Sequence, residues 1–130
     1  MVQNVIKPNM LLSYPSKIAL VFIFDTDKND CSNLRKNIDI VLHLPNRPRL
    51  FCIPQVRNLE DELCYSCEIK DIRKITGSKS LSDFKRDFLK LRNLSQRLKS
   101  NGFDIKKLWL RPAQGVFSGI INDSAYIKTK

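Results

Sequence analysis

The sequence has little of what marks several function classes. It holds one histidine (His43), four glycines and no long apolar run. No stretch approaches the roughly 20 apolar residues that span a bilayer as a helix, so no membrane-spanning helix and no membrane partner are expected. Gly77, Gly102, Gly115 and Gly119 do not have the spacing of a glycine-rich phosphate loop. Residues 1–24 contain neither Asp nor Glu, which leaves that stretch without an acid for catalysis. The opening residues Met1–Pro8 lack both an apolar core and a small-residue cleavage site, and do not read as a secretion signal. A cytoplasmic, reducing location is expected, with Cys31, Cys52, Cys64 and Cys67 as thiols rather than bridges.

What is present is charge. The 130 residues carry 23 Lys and Arg against 13 Asp and Glu, a formal net charge of +10. Acids gather at Asp25–Asp30 and Glu60–Glu62, and from Ser66 onward basic residues outnumber acids more than two to one. Such a field suits a polyanion, and nucleic acid (DNA or RNA) is the expected partner. The length is that of a single domain over residues 1–130, large enough to build its own core.

The run Ile18–Phe24 is apolar at every position, rich in β-branched and aromatic residues, and stops at Asp25. It predicts a strand covered on both faces, as at the centre of a parallel sheet. A helix is predicted from Cys31 or Ser32, with Leu34, Ile38, Val41 and Leu42 as its apolar stripe and Pro45 as its end. Leu50–Ile53 reads as a second strand closed by Pro54, which makes a strand–helix–strand unit. Asn58 is placed to cap a helix from Leu59, whose first turn holds Glu60, Asp61 and Glu62 where the helix dipole favours acids. Helical spacing continues through Ile69, Ile72 and Ile75 to a stop at Gly77. Ser80–Asp83 resembles a capping box opening a long helix to Gly102. One side of that helix is apolar (Leu81, Phe84, Phe88, Leu91, Leu98); the other bears Lys85, Arg86, Lys90, Arg92, Arg97 and Lys99. Trp109 is expected to pack inward, and residues 112–130 form a weakly patterned tail. The fold class is therefore a small three-layer α/β domain with a mainly parallel sheet and a helical C-terminal half.

Ligands of open α/β sheets bind beyond the carboxyl ends of the strands, where Asp25 and Asp27 fall. Two residues apart on an extended chain, they point the same way and can share a hard cation such as Mg²⁺, with Mn²⁺ as a substitute. Glu60 or Asp61 arrives at the same edge if the strands are neighbours, giving a third carboxylate for phosphoryl chemistry. The competing account is capping and dipole stabilisation without any ligand. Thr76–Ser80 places hydroxyls and Lys79 at a helix start, where with Lys85 and Arg86 they suit nucleic-acid phosphates. Cys64 and Cys67 have the spacing of half a zinc site, but no second close pair completes it and zinc is not expected. His43 is expected to serve at a helix end or in packing.

An apolar strand ending in Asp25-Thr26-Asp27, a helix, a short strand and an Asn58-Leu59-Glu60-Asp61 helix start resembles the core of Toprim-type domains. The likeness is greatest to the Toprim-like modules of bacterial defence proteins, the overcoming-lysogenization-defect nucleases and RloB-like proteins. It covers about residues 17–66, leaving 67–111 as a basic helical part. The resemblance implies Mg²⁺ held by Asp25, Asp27 and Glu60, with Asp61 as a stand-in for Glu60. It also implies a nuclease of a phage-defence or mobile-element system, those acids serving as its catalytic residues. That family has an earlier catalytic Glu, for which the acid-free residues 1–24 offer no counterpart. A second reading is thus carried alongside: a non-catalytic basic protein that docks on a nucleoprotein complex and regulates it.

Overall fold

The computed structural model describes residues 5–14 and 18–128; the remaining parts of the expected lead-in and tail lie outside the described residues. The helices are α1 (Pro8–Leu12), α2 (Ser32–Leu42), α3 (Leu59–Cys67), α4 (Arg73–Thr76), α5 (Phe84–Lys90), α6 (Leu94–Ser100) and α7 (Ser124–Ile127). The strands are β1 (Ala19–Asp25) and β2 (Arg49–Gln55), and a 3-10 turn spans Gly115–Phe117.

β1 and β2 pair in parallel, in register from Ala19–Arg49 to Asp25–Gln55, with α2 between them in sequence. The expected strand–helix–strand unit is present and the molecule is a small α/β protein. Among the described residues its sheet has these two strands. Leu20, Phe22 and Phe24 lie on the face that packs against α1, α2 and the C-terminal segment. Full burial of a side chain such as Phe24 contributes about 1.5–3 kcal/mol. The opposite face is covered over β2, where Ile53 and Gln55 are buried, but open over β1, where Val21 is 42% and Ile23 49% exposed. The expectation of a strand covered on both faces is corrected here, because the chain that covers this face over β2 leaves Val21 and Ile23 of β1 half exposed. Within α2 the inward stripe is Leu34, Asn37, Ile38 and Val41, while Leu42, one step further round, is 63% exposed.

β2 runs through Pro54 rather than stopping there. Arg49 donates its N–H to Ile18 O (3.3 Å), so odd-numbered residues of β2 face β1 and even-numbered ones face outward. The N–H that Pro54 lacks would have pointed to the outer edge, where proline is tolerated. The C-terminal segment seals that same edge. Cys52 N–H donates to Asp123 Oδ2 (2.8 Å) and Asp123 N–H donates to Cys52 O (2.8 Å). Phe117 stacks on Phe24 with centroids 5.9 Å apart, and Ala113 and Phe117 are buried. The tail thus completes the core through single residues, without a period a sequence pattern could reveal.

A second core joins α3 to α6 through Leu63, Cys67, Ile72, Ile75 and Phe84, with Phe88, Leu94 and Leu98 packed against it. Asp61 N–H donates to Asn58 Oδ1 (2.9 Å), the expected cap of α3. Gly77, at φ 75°, ends α4 in the left-handed region that glycine adopts without cost. The single long helix expected up to Gly102 is instead two, α5 and α6, with Leu91 extended between them. Phe88 and Leu94 are six residues apart, a spacing that would put them on different sides of one straight helix. The break lets both face the same core. No helix of the described residues is long and apolar enough to cross a membrane.

Candidate functional site

The carboxyl ends of both strands are tied together by Thr26. Its N–H donates to Gln55 O (3.2 Å) and Arg57 O (2.9 Å), its hydroxyl donates to Gln55 O (2.8 Å), and Arg57 N–H donates back to that hydroxyl (3.0 Å). This staple turns the chain at Asp25. Asp25 is left half-buried, while Asp27 stands exposed on the following turn.

Asp25 opens into a cleft of about 340 Å³ that also contains Glu60, Gln55 and Lys85, with Leu59, Phe84, Phe88 and Leu89 as apolar walls. Glu60 comes from the first turn of α3 and Lys85 from α5; Lys85 Nζ lies 3.7 Å from Glu60 Oε1. Burial, reinforced by the charges of Asp27 and Glu60, holds the Asp25 carboxyl above its ordinary value, and positive charges including Lys85 offset part of this. Oriented to satisfy both neighbours, the Gln55 amide donates to Asp25 Oδ1 (2.8 Å) and accepts from the Trp109 indole N–H (3.2 Å). Trp109 sits at φ 58°, a left-handed conformation rare for a bulky residue. It is pinned there on both sides: its N–H donates to Glu62 Oε2 (3.1 Å), and its carbonyl accepts from Asn122 Nδ2 (2.8 Å) and Ser124 Oγ (3.0 Å).

The acidic triplet of α3 therefore divides. Glu60 faces the cleft. Asp61 turns toward Arg111 (3.0 Å) and Arg57 (4.0 Å) and does not line the cleft with Asp25. Glu62 is wholly buried, accepting from Val56 N–H (2.7 Å) and Trp109 N–H, with Arg111 3.6 Å away. Arg111 also lies over the Tyr65 ring at 4.3 Å. Among the described residues no group of three or more His, Cys, Asp or Glu side chains is placed to hold a metal ion. Asp25 and Glu60 are the pair the fold brings to one cleft. Two carboxylates in a water-accessible cleft fit Mg²⁺ held by one or two protein oxygens with water completing its shell.

Of the residues expected to meet phosphate, Lys85 is engaged by Glu60. Arg86 is engaged by Asp83 (2.9 Å) and Asp87 (3.2 Å). Lys79 is exposed. The hydroxyls beside it are already taken: Ser78 donates to Asp87 Oδ2 (2.8 Å) and Ser80 to Asp83 Oδ2 (2.6 Å). Carboxylates of the same chain occupy the positions proposed for a phosphate. The exposed Lys90 of α5, Arg92 of the break after it, and Arg97 and Lys99 of α6 have no ion-pair partner among the described residues. They are the basic surface best placed to meet an outside anion.

The remaining candidates are structural. Burial holds the Cys64 and Cys67 thiols above their ordinary value, and burial with the nearby Asp123 charge pushes Cys52 up to about 11. His43 caps the end of α2, its Nδ1 2.8 Å from Asp39 O. Sequence reasoning missed Gln55 and Asp123, and read Trp109 only as packed inward and Glu62 only as a first-turn acid. The one available signal was a polar Gln55 closing an apolar strand level with Asp25. Comparison of the chain with protein-family models, with curated proteins and with solved structures found no match.

Proposed function

We propose that the protein binds nucleic-acid phosphates with the help of one Mg²⁺ held between Asp25 and Glu60, as a Toprim-like member of a cytoplasmic defence or mobile-element system. The observation that carries this reading is the convergence of Asp25, from the carboxyl end of β1, and Glu60, from the first turn of α3, on one cleft where burial and neighbouring acids including Glu60 hold the Asp25 carboxyl above its ordinary value. Like charges held together at a cost are an arrangement that a cation or a shared proton relieves. Bound there, Mg²⁺ would neutralise phosphate charge and activate water. Gln55 orients the Asp25 carboxylate through its amide, and Trp109 holds Gln55 in turn. Lys85, paired to Glu60 at 3.7 Å and exposed, is able to swing to an incoming phosphate. The full three-layer Toprim-like arrangement is part of this proposal.

A second reading, docking on a nucleoprotein complex without cleavage, is favoured by two observations. Asp27 stands outside the cleft, and the most available cations are Lys90, Arg92, Arg97 and Lys99 rather than those beside the acids. One experiment separates the two. Cleavage and binding of single- and double-stranded DNA and RNA are measured with and without Mg²⁺ for the wild type, Asp25→Asn, Glu60→Gln and a charge reversal at Arg97 and Lys99. Mg²⁺-dependent cleavage lost in the acidic variants supports the leading reading. Binding that ignores them but disappears on charge reversal supports the second, and calorimetry showing no Mg²⁺ or Mn²⁺ uptake would sink the first.

A further inference from the structure

The two edges of the sheet are treated differently. The outer edge of β2 is closed, since Asp123 satisfies both the N–H and the carbonyl of Cys52, and Pro54 has no N–H to offer. β1 has no such protection at Ala19, Val21 and Ile23 among the described residues. Thr26 N–H and Ile18 O both point at β2, so even-numbered residues of β1 face its partner strand. The N–H and carbonyl groups of Ala19, Val21 and Ile23 must then point outward, and no described residue bonds to them. Strand edges of this kind are normally blunted by proline, lysine, a bulge or a covering element. Residues 18–24 contain no charge and no proline. The same stretch leaves Val21 and Ile23 half exposed, and the apolar strip continues through Phe51, paired with Val21, to the exposed Tyr126 ring 6.2 Å from it.

We propose that β1 pairs edge to edge and antiparallel with β1 of a second copy, giving a continuous four-stranded sheet about a two-fold axis. Charge selects this occupant and this direction. In a chain of net charge +10, residues 18–27 hold Asp25 and Asp27 and no Lys or Arg, so copies meet along β1 with less repulsion than elsewhere, Arg49 over the Phe51 ring being the nearby cation. Antiparallel pairing places the two aspartate-bearing ends at opposite ends of the junction, whereas parallel pairing would press them together. Outward residues on one strand meet outward residues on the other, so Val21 and Ile23 of both copies join in one strip on the same face. A two-fold axis makes the contact self-complementary, the commonest form of closed assembly. The inference does not depend on the acidic cleft binding metal.

Sedimentation equilibrium of the full chain over micromolar to submillimolar concentration tests it, beside Val21→Pro and Ile23→Lys. Val21→Pro removes an N–H that the β1–β2 ladder does not use, and edge positions of this type accept proline. Ile23→Lys places a charge on the bare strip. The expected result is a concentration-dependent dimer in the wild type, weakened about tenfold or more in each variant, since inward charges and prolines are what block edge pairing. Circular dichroism is expected to be unchanged. A wild type that stays monomeric throughout, or a dimer that survives both folded variants, overturns the proposal. If Val21→Pro does not fold, Ile23→Lys alone decides.

Discussion

Two sets of carboxylates in this protein do opposite work. Glu62 and Asp123 are consumed by the fold: one gathers the N–H groups of Val56 and Trp109 beside Arg111, the other closes the edge of β2. Asp25 and Glu60 line a cleft instead, where burial and neighbouring acids raise the Asp25 carboxyl and Lys85 stands 3.7 Å from Glu60. The first set joins distant parts of the chain; the second sits at the ends of elements that would form without it. Acids in the first turn of a helix look alike in sequence, and it is the hydrogen-bond donors arriving from residues 109–111 that decide which becomes structural.

The contrast predicts a graded series. Glu62→Ala should cost most, about 3–5 kcal/mol, because it strips a buried hydrogen-bonded acid and leaves its donors and the Arg111 charge without a partner. Urea unfolding measures this, and Glu62→Gln should recover part of the loss. Asp123→Ala should cost about 1–2 kcal/mol by the same measurement, since Cys52 N–H loses its acceptor at a partly buried edge. Thr26→Val, which removes the hydroxyl of the strand-end staple, should cost about 1 kcal/mol. An Asp123→Ala variant as stable as the wild type would show that the tail is held by its other contacts, among them Phe117 on Phe24 and Asn122 and Ser124 on the Trp109 carbonyl.

The cleft acids should break the pattern. The Asp25 carboxyl is raised above 3.8, so the folded state favours its protonated form. The stability linked to that group is fully present below the ordinary value and is lost as pH rises through the folded value. At neutral pH the ionised group is therefore a cost, and Asp25→Asn should leave the melting temperature equal or higher while abolishing Mg²⁺ uptake. Metal affinity should fall as pH drops toward the raised Asp25 value, because protons and metal compete for one carboxylate. A clear destabilisation by Asp25→Asn would move Asp25 into the structural set. Smallest of all, Arg97→Glu should change stability by no more than about 0.5 kcal/mol, being an exposed side chain without an ion-pair partner. Its effect should appear only as weaker, less salt-dependent nucleic-acid binding.

Much of the first half of the chain could be read from sequence because its elements declare themselves locally. The β1 run, the stop at Asp25, the cap at Asn58 and the stop at Gly77 each rest on neighbours within a few residues. Three features could not be read in that way. The half-exposed face of β1 depends on how far the chain covering Ile53 and Gln55 of β2 reaches, which apolarity alone does not specify. The break at Leu91–Asn93 depends on both helices sharing one core. The roles of residues 109–124 depend on contacts of single side chains with strands far away in sequence. For the candidate site, sequence placed Asp25 and Glu60 at the same sheet edge, and they share a cleft. It could not foresee that Asp27 would turn out to solvent or that Asp61 would turn to Arg111.

Trp109 is the sole tryptophan of the chain, and its indole N–H reaches Asp25 through a single intervening amide, that of Gln55. The molecule consequently carries its own optical probe. Indole emission responds to the charge and solvation around its N–H, so protonation or ligation of Asp25 should register as a spectral change without any added label. The residue that holds the cleft's geometry is also the one through which its occupancy can be watched in real time.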